Sequence, residues 1–217
     1  MEWIKKSEIF VPSQELELPK KHHSLADWDF NASIPYALDN TVYVSAPSSL
    51  RFTGISGEAT YAGPLCRDAS CLNLPQGRIE TQWRISETII LPAFIFRNQG
   101  GVGTIDTANT YQIDRQSTST MYATRVVAGE GTVVGSWART CSSNTWYQER
   151  ITWWNEAPVL LIRYEYWNGS AWQVVGTDIT DTSPAFGDTG TARCGLGIRN
   201  RGDSSLYYDD TKIYGPA

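Results

Sequence analysis

The chain has 217 residues, a net charge of −5 at neutral pH and 18 lysines and arginines scattered along its length, so it lacks the concentrated basic face that a nucleic-acid partner requires. Its longest apolar run, residues 88–96, is broken by Pro92 and closed by Arg97, which predicts a soluble chain with no membrane insertion. A chain of this size suits one large β domain as readily as two small ones, and no linker divides its middle.

Residues 1–40 are polar, centred on Lys20-Lys21-His22-His23, and show no sustained period. They read as an extended arm, with one strand at Glu8-Ile9-Phe10-Val11 just before Pro12. Residues 1–8 lack the apolar core and small-residue cleavage site of a secretory signal. The body is expected to span residues 41–217, because from Thr41-Val42-Tyr43-Val44 onward short β-rich runs recur between clusters of Gly, Pro, Asn and Asp.

The clearest alternation is at residues 78–85, where Ile79, Thr81, Trp83 and Ile85 share one face and charged or amide groups the other. This is the pattern of a half-buried antiparallel strand. Comparable runs lie at residues 49–54, 89–97, 109–115, 121–128, 132–140, 145–154, 159–167, 171–177, 191–199 and 206–214. Roughly a dozen strands with turn-length spacers and no amphipathic helix predict an all-β sandwich or barrel. Between residues 161–167 and 171–175, Asn168-Gly169 predicts a tight hairpin turn with positive φ at both residues, which brings Trp167 close to Trp172.

Cys66 and Cys71 enclose a short loop that closes as a small disulfide, while Cys141 and Cys194 lie far apart in sequence. An even count allows two bridges in three pairings, and free thiols are the alternative in a reducing compartment. A zinc site lacks ligand-like spacing. Asn31-Ala32-Ser33 and Asn168-Gly169-Ser170 match glycosylation acceptors but are expected to serve turns. Arg201-Gly202-Asp203 and Gly100-Gly101-Val102-Gly103 read as loop residues.

Nine tryptophans and eleven tyrosines supply two kinds of surface: core, and platforms for the apolar C–H face of a sugar ring. Tyr164, Tyr166, Trp167 and Trp172 are the candidate saccharide-binding residues. The closing strand adds two adjacent carboxylates. In regular alternation Tyr207, Asp209, Thr211 and Ile213 share one face, and Leu206, Tyr208, Asp210, Lys212 and Tyr214 the other. An inward aspartate there requires backbone donors, a basic partner or a cation, so Asp209 and Asp210 are either structural or calcium ligands. The two histidines are adjacent in the arm, which leaves no His base for a serine or cysteine nucleophile. Neighbouring Asp209 and Asp210 point apart, and no spacing singles out Glu80, Glu149 or Glu165 as a glycosidase pair.

Residues 45–52 (SAPSSLRF), 78–85, 146–153 (WYQERITW), the hairpin carrying Trp167 and Trp172, and residues 206–214 together resemble the concanavalin A-like lectin/glucanase superfamily, especially its laminin-G-like members. The resemblance covers roughly residues 41–214 and implies a jelly roll of two curved antiparallel sheets, a form used to bind glycans or proteins. It also implies that Asp209 or Asp210 is the structural or calcium-linked acid. The Glu-x-Asp-x-x-Glu run of the superfamily's glucanases is absent, so a non-catalytic module is expected. The expected role is a virion surface or decoration-type attachment protein, a homo-oligomer whose residues 1–40 clasp a neighbouring subunit. The alternative is a carbohydrate-binding module; both place the chain on a virion or extracellular surface.

Overall fold

The computed structural model describes residues 28–30, 34–45, 48–54, 59–67, 73–87, 90–100, 103–104, 109–184, 192–200, 202 and 204–215. Among these the regular structure is entirely β. The first sheet runs in the order β1 (Trp28–Asp29), β4 (Ala59–Cys66), β15 (Arg193–Asn200), β6 (Ile90–Asn98), β8 (Thr110–Arg115), β9 (Thr120–Val127) and β10 (Glu130–Ala138), with β7 (Gly103–Thr104) also paired to β4. The second runs β13 (Trp172–Val174), β12 (Val159–Trp167), β11 (Tyr147–Glu156), β5 (Gly77–Ile85), β16 (Ser205–Tyr214), β3 (Ser49–Thr53) and β2 (Tyr36–Asp39), with β14 (Ile179–Asp181) also on β12. Every pairing is antiparallel. The chain is an all-β, two-sheet sandwich, as the strand spacing predicted.

Alternation explains which face is which. In β5, Gly77, Ile79, Thr81, Trp83 and Ile85 are buried while Arg78, Glu80, Gln82 and Arg84 are half-buried on the opposite face. The inner faces meet through rings: Phe96 of the first sheet stacks on Tyr111 at 5.2 Å and on Trp153 of the second at 4.6 Å. Removing such side chains from water contributes about 1.5–3 kcal/mol each. Tyr208 crosses the core to donate its hydroxyl to the Gly197 carbonyl at 2.6 Å and accept the Ala93 amide at 3.1 Å.

Two buried polar links join the sheets as well. Arg115 of β8 donates to Glu149 of β11 at 2.8 Å, both side chains fully buried. Glu149 also accepts Trp83 Nε1 at 2.8 Å and the Tyr164 hydroxyl at 2.5 Å. Asp181 of β14 likewise accepts the Tyr111 hydroxyl at 2.6 Å and Arg125 at 2.7 Å. These bonds satisfy charges that would be prohibitive in the interior alone. Burial works against the Arg115 charge, but Glu149 reverses that effect and holds the guanidinium above its ordinary range.

Several sequence expectations change. The boundary at residue 40 moves, because Trp28 and Ile34 are buried and β1 and β2 are strands of the sandwich. Asp29 pins β1 by accepting from Arg67 and Arg193. Residues 1–27, including the strand expected before Pro12 and His22-His23, lie outside the described residues, as do Asn31, Gly101, Val102, Arg201 and Asp203. Residues 41–45 form bends rather than a strand. The Asn168-Gly169 turn is a four-residue loop: Asn168 N donates to Ala171 O at 3.1 Å, and Gly169 alone of the pair has positive φ, at 99°. The Asn168 side chain shapes it, accepting the Ser170 and Ala171 amides at 2.9 Å each. Cys66 is disulfide-bonded, and Cys71, its expected partner, lies outside the described residues. Cys141 and Cys194 are buried thiols that are not disulfide-bonded, so no second bridge joins them. Burial alone pushes the Cys194 thiol up to about 12.

Candidate functional site

The outer face of the second sheet gathers the polar and aromatic residues of five strands into transverse rows. Trp172 pairs with Trp167, which stands beside Gln148; Gln148 pairs with Gln82, and Gln82 with Asp209. The next row is Val174, Glu165, Arg150, Glu80 and Lys212, and the third is Arg163, Thr152, Arg78 and Tyr214. Strand spacing sets neighbours in a row about 4.8 Å apart and rows about 6.8 Å apart. The result is a lattice of donors and acceptors with rings at its margins.

Trp167 and Trp172 meet edge to face with centroids 5.6 Å apart, and Trp167 is 36% exposed. Arg150 lies over the Trp172 ring at 4.2 Å while holding Glu165 through two bonds of 2.8 and 2.9 Å. Arg163 repeats the arrangement, over Trp154 at 5.3 Å and bidentate to Asp178 at 2.8 and 2.7 Å. Such fork-on-carboxylate pairs fix both side chains and so keep the rings in place. Glu80 accepts Gln148 Nε2 at 3.2 Å, and burial lifts its carboxyl above the ordinary range against the opposing pull of Gln148 and Lys212.

One side of the face is walled by the segment between β2 and β3. Asp39 starts its turn by accepting the Thr41 amide at 2.9 Å, the Thr41 hydroxyl at 2.7 Å and the Val42 amide at 3.0 Å. The segment then crosses β16, where the Val44 and Ser45 amides donate to Asp209 Oδ2 at 2.7 and 2.9 Å. Alternation in β16 is interrupted there: pairing with β5 slips between Asp209 and Lys212, and Asp210 has φ of 45°. The extra residue is a β-bulge. It puts Leu206 and Tyr208 on the same inner side as Thr211 and Ile213, not opposite them as regular alternation predicted, and leaves both aspartates at the outer side.

The bulge also decides what those carboxylates can hold. Asp209 is 1% exposed, and its second oxygen accepts the Asp210 amide at 2.9 Å. Burial raises its pKa, the Ser45 and Val44 amides oppose this, and the Asp210 charge adds to the rise. Asp210 accepts the Ser45 hydroxyl at 2.6 Å and Gln82 Nε2 at 2.9 Å. Donors therefore meet both oxygens of Asp209 and Oδ2 of Asp210. Calcium takes about six to eight oxygen ligands, and among the described residues no three His, Cys, Asp or Glu side chains converge. Asp209 and Asp210 in this arrangement do not fit a calcium ion.

The four aromatic candidates separate by face. Trp167 and Trp172 are together on the outer side, whereas Tyr164 is fully buried on the inner side with its hydroxyl on Glu149. Tyr166 shares that inner side, half-buried beneath Arg139 at 3.7 Å. Trp153 and Trp154 divide as alternation requires, the first buried and the second half-buried outside. The acids divide too: Glu80 and Glu165 face outward, and Glu149 is in the core. Gln82, Gln148, Arg78 and Lys212 were not among the candidates. The alternation of residues 78–85 already placed Gln82 and Arg78 outward; what it lacked was the identity of the neighbouring strands.

The two layers and their all-antiparallel order define a two-sheet jelly-roll β-sandwich. No protein-family model and no curated protein matches the sequence. Solved structures do match in fold. The carbohydrate recognition domain of Emp46p in its potassium-bound form aligns over 93% of this chain and 94% of its own, with TM-score 0.59 and 14% identity. An endo-β-1,4-glucuronan lyase from Trichoderma reesei aligns over 95% and 96%, with TM-score 0.57 and 11% identity. A protein of unknown function from Shewanella oneidensis MR-1 aligns over 83% and 76%, with TM-score 0.55 and 16% identity.

Proposed function

We propose that this chain is a lectin-like, non-catalytic module that binds glycans on the outer face of its second sheet, acting as an attachment component on a surface such as that of a virion. The observation that carries the reading is the Trp167–Trp172 pair, exposed at one end of a row that continues through Gln148 and Gln82. A ring face takes the apolar side of a sugar, and side-chain amides take its hydroxyls. The fold is one that a carbohydrate recognition domain also uses. Binding without turnover is supported by the engagement of the acids: Glu165 is held by Arg150, Asp209 is sealed by backbone amides, and Glu149 is internal.

A glycan array followed by titration tests the reading. Trp167→Ala and Trp172→Ala should each abolish binding at concentrations where the parent saturates, with melting temperatures close to the parent's because neither ring is in the core. Retained binding in both variants refutes the site. Release of new reducing ends from a bound glycan refutes the non-catalytic part. Deleting residues 1–27 tests the companion expectation of a homo-oligomer joined through the arm: the truncated chain should elute as a monomer, and an unchanged oligomer would count against it.

A further inference from the structure

Among the described residues the outer face carries six cations, and they are not equivalent. Arg51 pairs with Asp39 at 3.2 Å, Arg150 with Glu165 at 2.8 Å, and Arg163 with Asp178 at 2.7 Å. Lys212 stands opposite Glu80. The remaining two, Arg78 and Arg84, both project from β5 and form no ion pair among the described residues. Arg78 donates Nε to Thr152 Oγ1 at 3.1 Å and lies over the Tyr214 ring at 5.7 Å. Arg84 donates to Asn144 Oδ1 at 2.8 Å and lies over the Tyr207 ring at 5.7 Å.

Arg78 has a second cation beside it. It is half-buried, and that neighbour is Arg150, on the adjacent strand. Burial and the Arg150 charge disfavour its protonated form and outweigh the opposing pull of Glu165, Glu80 and Tyr214. Its Nε is used and its ring contact holds the plane of the guanidinium, while the two terminal nitrogens donate to nothing among the described residues. A guanidinium with both terminal nitrogens available is built to take a carboxylate or sulfate through two parallel bonds. A neutral sugar hydroxyl would give it no direct ion pair.

Resting on the glycan-binding reading above, we infer that the saccharide recognised by this face is acidic, with its carboxylate or sulfate seated on Arg78 and its rings on Trp167 and Trp172. Arg78 is two rows and three strands from Trp172, a diagonal of about 20 Å from strand geometry. The ligand is therefore an oligosaccharide, long enough to reach both ends.

The test is an array carrying oligogalacturonate, its fully methyl-esterified form, sulfated glycosaminoglycans and neutral xylan and mannan oligomers. Acidic members should be retained, and methyl esterification should weaken oligogalacturonate binding by at least about tenfold if the carboxylate is the feature read. Retention of the sulfated glycans alone assigns the anion as sulfate. Arg78→Gln should lower acidic-glycan affinity at least about tenfold and flatten its salt dependence, with Arg78→Lys recovering part of the loss. Neutral oligomers bound as tightly as acidic ones, or affinity unchanged in Arg78→Gln, overturns the inference and leaves the glycan-binding reading standing. A parent protein that binds no glycan overturns that reading itself.

Discussion

Replacing Arg115 by methionine is the most demanding test of how the two layers are held together. The change keeps an unbranched side chain of similar reach but removes the cation that faces Glu149, both side chains being fully buried. Glu149 would keep Trp83 Nε1 and the Tyr164 hydroxyl as donors, and its nearest remaining cation is Arg139 at 3.5 Å, whose side chain is 21% exposed. Stranding one member of a buried pair costs about 3–5 kcal/mol, a large part of the roughly 5–15 kcal/mol that stabilises a natural domain. The Arg139 carbonyl also loses its Arg115 donor, a bond of 2.6 Å. Urea unfolding followed by tryptophan fluorescence measures the loss, and Trp83, 5.1 Å beneath the Arg115 guanidinium, reports on the site itself. Adding Glu149→Gln to Arg115→Met removes the stranded charge and keeps an acceptor for Trp83, so the double variant should recover about half the loss or more. A loss below about 1 kcal/mol in the single variant, or no recovery in the double, would refute the ascription of inter-sheet stability to this pair.

Asp209→Ala should cost about 1–3 kcal/mol by orphaning the Val44, Ser45 and Asp210 amides, and it should expose the segment at residues 40–45 to limited proteolysis; an uncut, equally stable variant would show that the segment is held by something else. Because donors meet both oxygens of Asp209 and Oδ2 of Asp210, excess EDTA should leave the melting temperature unchanged and added calcium should not raise it, whereas a calcium-dependent rise would show that these residues rearrange around an ion. Glu80 has a carboxyl raised by burial, so in the window just above its ordinary value the folded chain holds a proton that the unfolded chain has released. Its contribution to stability therefore falls as pH rises through that window, and Glu80→Gln should remove the decline. Unfolding midpoints of parent and variant between about pH 4 and pH 7 measure it; parallel curves would contradict the assignment.

Local pattern carried much of the fold. The alternation at residues 78–85 specified a strand and both of its faces, because a period of two is set by the backbone alone. Residues 159–167 were found with the same bounds as β12, and Trp167 and Trp172 are neighbours as the turn residues implied, although the loop between them is longer than a two-residue turn. The strand β4 was missed for an identifiable reason: it contains Gly63 and Pro64, which argue against a strand when read locally. Its place comes from β15, where Gly195 runs so close that an added Cβ would lie 2.3 Å from the Pro64 carbonyl oxygen.

For the candidate face, sequence supplied the residue types and, strand by strand, the side on which each stands. It determined an all-β chain rich in rings, with a charged stripe on the strand at residues 78–85 and two acids near its end. Only the tertiary structure decided that β11, β5 and β16 lie side by side, which turns separate stripes into rows. It alone decided that Tyr164 bonds to a buried ion pair, that a bulge at Asp210 interrupts the closing strand, and that Arg78 forms no ion pair among the described residues. Those outcomes depend on which strands neighbour each other across long stretches of chain, and no local period encodes that choice.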